Sequence, residues 1–225
     1  MGFYQRLNLA TETERQALIN TGMIRRSLQG EIELQDYVNF LSQAYHHVKH
    51  TAPLLMAVGS RLPDSKEWLR TAVAEYIEEE IGHQEWILND IARCGFDKEA
   101  VRNSKPNFET EVMVSYAYDL VNRINPVGFF GMVLVLEGTS VNLADMAADK
   151  IKQALNLPEQ AFSYLRSHGS IDQEHIQFLE SLLDKFDSRD EQTLIIHSAK
   201  AFYRLYRGVF ESIEHQSSTM IKKAS

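Results

Sequence analysis

The chain carries one cysteine, Cys94, in 225 residues. That excludes an internal disulfide and any thiolate metal cluster, and it suits a reducing cytoplasm. Glycine (11) and proline (5) are scarce, so the punctuation that a many-stranded sheet needs is missing. No segment alternates in the manner of a half-buried strand. Positive charge is also short. The 23 Lys and Arg stand against 31 Asp and Glu, and a net charge of −8 argues against partners such as nucleic acid or an anionic membrane. The opening segment MGFYQRLNLATETER turns polar before any apolar stretch of signal-peptide length, so no export signal is expected. Repeats, low-complexity tracts and long linkers are lacking too, which predicts a single domain over 1–225.

What is present is helical patterning. Thr11 and Glu14 have capping-box spacing and predict a first helix that fades near Gly22 or Gly30. A second is expected over about 33–61, with Tyr37, Phe40, Leu41 and Tyr45 near one face, and a third over about 64–95. A fourth covers about 108–123, and Pro126 opens a fifth that continues to about Leu155. Pro158 opens a sixth, ending near Phe186, and Ser188 caps a seventh that runs to about His215. The fold class expected is all-α, a helical bundle. Between Arg123 and Asp145 lie 21 residues with one charge, Glu137, long enough to raise the question of a membrane span. Asn125, Thr139, Ser140, Asn142 and the glycines make it a poor span. A central helix buried on all sides is the expectation.

Three of these helices place titratable groups where apolar residues belong. On the sixth, Ala161, Leu165, His168, Asp172, His175, Leu179, Leu182 and Phe186 form one stripe, apolar at both ends. Burying an Asp with two His costs several kcal/mol unless they pair or bind a cation. By itself the stripe fits a hydrogen-bonded His-Asp-His cluster equally well. On the fifth, Glu137 follows Val133-Leu134-Val135-Leu136, where an unpartnered carboxylate would take up a proton. On the third, Glu80 shares the sector of Leu69, Val73, Tyr76 and Ile87, with His83 at its edge, while Glu75, Glu78 and Glu85 fall on the solvated side. Together Glu80, His83, Glu137, His168, Asp172 and His175 offer three carboxylates and three imidazoles, an oxygen and nitrogen set suited to iron or manganese. The ferritin-like pattern needs two Glu-x-x-His motifs. Only Glu80-Ile-Gly-His83 is present.

Glu80-x-x-His83 within EEEIGH, the lone Glu137, and His168-x3-Asp172-x2-His175, in that order, resemble the haem-oxygenase-like di-iron oxidases, relatives of the TenA and PqqC helical proteins. The likeness runs roughly from Tyr37 to Tyr206. It implies a seven-to-eight-helix haem-oxygenase/TenA-like bundle that holds two iron ions through those six residues and uses O2 on a small amino-acid-like, fatty-acid or aromatic substrate. Some members take their first carboxylate from seven residues before the His. Here that position is Tyr76, which leaves Glu80 as the ligand with Glu79 in reserve, and makes Tyr76 a candidate hydrogen-bond or electron donor beside the metal.

The other branches of this fold fit less well. TenA-type thiaminases rely on a cysteine nucleophile, whereas Cys94 reads as a buried inert thiol. Haem oxygenases use a proximal His on the first helix, and the first histidine here is His46 on the second. His46, His47 and His50 lack an accompanying carboxylate and are expected in substrate-pocket or surface roles rather than at metal. The function expected is therefore a cytoplasmic non-haem di-iron oxygenase or oxidase with manganese as the second metal candidate. An external electron donor, a homodimer, and a mostly apolar pocket built from the second, fifth and seventh helices accompany that reading. A metal-independent TenA-like hydrolase and a non-catalytic helical binding protein are the alternatives.

Overall fold

Apolar stripes at helical spacing run through nearly the whole chain, and they fold accordingly. The computed structural model describes residues 1–170 and 172–223, with side chains outside 140–142, 168–175 and 214–223. Every regular element among the described residues is helical. The α-helices are α1 (Phe3–Ile19), α2 (Gly22–Gln29), α3 (Leu34–Val48), α4 (Thr51–Arg61), α5 (Glu67–Glu80), α6 (His83–Arg93), α7 (Lys98–Arg102), α8 (Phe108–Asp119), α9 (Phe129–Leu155), α10 (Ser163–Ser170), α11 (Asp172–Leu183) and α12 (Arg189–Lys223).

Several expected long helices are divided. The second is α3 and α4, parted at Lys49 and His50, and the third is α5 and α6, parted at Gly82, whose φ of 98° needs glycine. The sixth covers α10 and α11, between which Ile171 lies outside the described residues. The helical period survives each break, which is why patterning alone reads through them. Thr11 does not cap a helix: it lies inside α1, and its hydroxyl donates to the Leu7 carbonyl one turn back. Elsewhere the caps stand where polar residues precede a helix. Asn107 accepts from the Thr110 amide at 3.1 Å, Pro126 starts the 3-10 turn leading into α9, and the Ser188 hydroxyl accepts from the Glu191 amide at 3.4 Å. Asp97 caps the short α7, an element the sequence reading passed over.

Helix α9 occupies the centre and packs against α2, α10, α11 and α12. Phe129, Phe130, Met132, Val133, Leu134 and Val135 are all buried. Each such side chain contributes about 1.5–3 kcal/mol by leaving water. Gly131 permits the close approach to α12, since a Cβ there would stand 2.3 Å from Ser198 Oγ and 2.6 Å from the Ala199 nitrogen. No single helix among the described residues is long and apolar enough to cross a membrane. The two parts of the central segment, Pro126–Thr139 and Leu143–Leu155, pass that test only together and are bent by 45°.

Two polar clamps hold α10 in place. The fully buried Asp90 of α6 accepts from the Ser163 amide, the Ser163 hydroxyl and the Tyr164 amide, at 3.1, 2.5 and 2.9 Å, and so caps α10 from a distance. Arg166 reaches Asp145 and Asp149 on α9 and Glu159 on the preceding turn.

Candidate functional site

A cavity of about 150 Å³ opens between α9 and the helices around it. Its polar wall is built from α5, α6 and α9, which present Tyr76, Glu80, His83 and Glu137. The sequence sets Tyr76, Glu80 and His83 on or at the edge of the inner face of one expected helix and Glu137 on another. The break at Gly82 turns the chain between α5 and α6, and His83 Nδ1 still lies 3.2 Å from Glu80 Oε2. His83 is buried, and its ring stacks on Trp86 with centroids 4.2 Å apart. Glu80 keeps a side-chain exposure of 16%, whereas Glu79, its reserve, is exposed and is not part of the cavity wall. Glu75 and Glu78 face solvent as expected. Glu85 is half-buried and held by Arg102 at 2.6 and 2.9 Å.

Tyr76 is buried beside Glu137 and Phe178. Burial, and then the Glu137 carboxylate, push its phenol well above the usual range, so the hydroxyl keeps its proton. A neutral phenol next to a carboxylate can donate a hydrogen bond to it.

The aromatic wall comes from α3, α10 and α12. His47 meets Tyr206 edge-on at 5.7 Å, Tyr206 meets Phe210 at 4.9 Å, and Phe210 stacks on Phe40 at 5.7 Å. Of the three clustered histidines, only His47 lines the cavity. The sequence contained a signal for this, because His47 continues the stripe of Tyr37, Phe40 and Ala44. His46 is buried away from the cavity: its Nε2 is 2.9 Å from Ser104 Oγ, and Lys49 Nζ donates to its Nδ1 at 3.3 Å. Burial, with Lys49 and His50 adding to it, lowers its pKa to about 4. His50 pairs with the Tyr118 hydroxyl at 3.1 Å. Asp90 was missed, although it continues the stripe of His83 and Ile87. Cys94 is buried and lies off the cavity wall, and desolvation pushes its thiol up to about 11. It is an inert interior group, as expected.

The side chains of His168, Asp172 and His175 lie outside the described residues. Among the described residues, no three His, Cys, Asp or Glu side chains stand close enough together to hold a metal ion. The donors on the cavity wall nevertheless fit iron in kind. Two carboxylates and an imidazole come from three helices, no cysteine is among them, and the surrounding wall is apolar.

Residues 38–207 match the family described as iron-containing redox enzymes. The chain belongs to this family. No curated protein matches it. Among solved structures, it is similar to a domain of unknown function with a haem-oxygenase-like fold from Shewanella denitrificans, at 23% identity and a TM-score of 0.86, covering 98% of this chain and 95% of that one. A TenA homologue from Pseudomonas syringae shares 12% identity at a TM-score of 0.79, over 95% and 93% of the two chains. The haem oxygenase of Leptospira interrogans shares 18% at 0.75, over 94% and 100%. At these identities the likeness establishes the haem-oxygenase/TenA-like fold. The family match adds iron and redox chemistry.

Proposed function

We propose that this member of the family is a cytoplasmic non-haem di-iron oxygenase or oxidase acting on a small organic substrate. Glu80, His83, Glu137, His168, Asp172 and His175 would hold the two irons, with manganese as the second candidate. The observation that carries the reading is that Glu80, His83 and Glu137, from three different helices, wall one largely apolar cavity in a family of iron-containing redox enzymes. When bound, the metal supplies the reduction of O2, with electrons from an external donor. The chain's own residues have separate tasks. Tyr76, a neutral phenol buried beside Glu137, is available to donate a hydrogen bond to that carboxylate. The apolar wall keeps water from the reacting centre. Trp86, stacked on His83, fixes the plane of the imidazole. The TenA-like hydrolase reading lacks its nucleophile, because Cys94 lies off the cavity wall.

Aerobic iron(II) titration with absorbance and metal analysis tests the proposal. Two irons per chain are expected, together with a rise in melting temperature through binding to the folded state. Glu137→Ala and the milder Glu137→Gln should both abolish the rise while circular dichroism stays helical. Wild-type protein that binds no more iron than folded Glu137→Ala would overturn the reading.

A further inference from the structure

Helix α10 has only eight residues, and a helix of that length is marginal in water by itself. Besides the apolar burial of Tyr164 and Leu165, two polar ties fix its place. At its start, Asp90 of α6 accepts from the Ser163 and Tyr164 amides at 3.1 and 2.9 Å. One turn on, the Arg166 guanidinium spreads its three nitrogens over three carboxylates. Nε lies 3.0 Å from Glu159, Nη1 3.2 Å from Asp145 and Nη2 2.5 Å from Asp149. Nη1 also donates to the Asp145 carbonyl at 3.3 Å. Lys152, on the same face of α9 as the two aspartates, pairs with the other Glu159 oxygen. The network therefore joins the second half of α9, the turn after it and α10.

Both ties lead to helices that carry candidate metal donors. Asp90 follows His83 by seven residues on α6, and Asp145 follows Glu137 by eight on α9, across the 45° bend of that helix. Each separation is about two helical turns. Helix α10 itself carries His168 two positions after Arg166, and Leu165 and Ser167, on either side of Arg166, line the cavity. The spacing of three helices is thus held two turns away from the polar wall. The two ties differ in kind. Asp90 is fully buried, whereas the Arg166 side chain is 29% exposed and its three carboxylates 51–70%. Ion pairs as open as these add little to global stability and weaken with salt.

We propose that Arg166 is a positioning residue for the metal centre: its ion-pair network latches α10 against α9 and sets the affinity for metal rather than the stability of the fold. The proposal rests on the di-iron reading above, in which His83, Glu137 and His168 serve the same centre. Charge gives it a sign of its own. Arg166 is a cation near a cation site, so deleting its charge would, by Coulomb attraction alone, tighten metal binding. Deleting an ordinary packing contact would lower stability and affinity together. Loss of a latch weakens metal binding at nearly constant stability.

The test titrates the full metal-free chain with cobalt(II), whose visible absorption reports nitrogen and oxygen ligation, beside urea unfolding and hydrogen exchange. Arg166→Gln should weaken cobalt(II) binding by roughly tenfold or more, the loss typical when groups supporting metal ligands are removed. It should leave the urea midpoint nearly unchanged. Without metal, it should speed amide exchange at positions 165–167 while 202–206 of α12 stay protected. Arg166→Lys keeps the charge without the fork and should recover part of the affinity. Sodium chloride should weaken cobalt(II) binding more in the wild type than in Arg166→Gln. Tighter or unchanged binding in Arg166→Gln, unchanged exchange at 165–167, or a loss of affinity matched by an equal loss of stability would each overturn the proposal. Wild-type chain that takes up no more cobalt(II) than folded Glu137→Ala removes the metal reading, and this proposal with it. Glu137-dependent uptake that Arg166→Gln leaves intact removes this proposal alone.

Discussion

Asp90 and Glu137 are both acidic side chains carried into the interior of the bundle, on helices that each pack against α10. Their surroundings differ. Asp90 is fully buried and accepts from two amides and a hydroxyl at the start of α10, so its charge is spent on the fold. Glu137 faces a cavity with the neutral Tyr76 phenol beside it. A buried carboxylate surrounded by backbone donors is a clamp. One that borders open space beside another carboxylate and an imidazole is positioned for something that enters. Burial alone does not separate the two, and their partners do.

The largest effect expected from testing this contrast is at Asp90. Asp90→Ala leaves the Ser163 and Tyr164 amides buried without their acceptor and should cost about 3 kcal/mol in denaturant unfolding. Glu137→Gln in metal-free protein should change stability by less than about 1 kcal/mol, since replacing a buried carboxylate removes a desolvation cost. Equal losses at both positions would erase the distinction. The two groups can also be separated by pH. Burial holds the Asp90 carboxyl above its ordinary 3.8, so the folded chain keeps a proton that the unfolded chain has released, and stability relative to Asp90→Asn should fall as pH rises through that window.

His46 and His83 form the same pair among imidazoles, one spent on the fold and one on the cavity wall. With His46 lowered to about 4 from 6.5, the unfolded chain protonates first on acidification. Its contribution is intact above about 6.5 and lost progressively as pH falls toward 4. His46→Gln should flatten that part of the stability profile and leave iron(II) binding unchanged. A small effect is expected at Gly82, where a side chain has open space but φ is 98°. Gly82→Ala should cost about 1 kcal/mol. Because Gly82 sets the direction of His83 relative to Glu80, it should weaken iron(II) binding more than its stability loss implies. Unchanged metal affinity would show that the turn does not position the pair.

Much of the site was legible because helical periodicity is a rule about faces. The 100° step set Glu80 with Leu69, Val73 and Tyr76, and the apolar run before Glu137 marked it as interior; both border the cavity. Asp90 was equally on a stripe and was missed, since a polar residue on an apolar stripe does not announce its partner, and the pocket or surface role expected of His46, His47 and His50 did not tell the three apart. Asp90's partners lie 73 and 74 residues away. The expected capping box at Thr11 failed for a related reason: the same hydroxyl can close a bond inside a helix as readily as at its start.

Composition and periodicity by themselves determined an all-helical chain without disulfides, its central apolar helix, and the inward faces of Glu80, His83 and Glu137. These follow from local backbone geometry and from the free energy of removing apolar stripes from water. Only the tertiary structure decided where the long helices divide, that α12 approaches α9 at Gly131, and that Asp90 closes the end of α10. It also decided that His47, not His46, borders the cavity. Such choices depend on which distant surfaces meet, and hydrogen-bond partners and close approaches between remote segments leave no period in the chain.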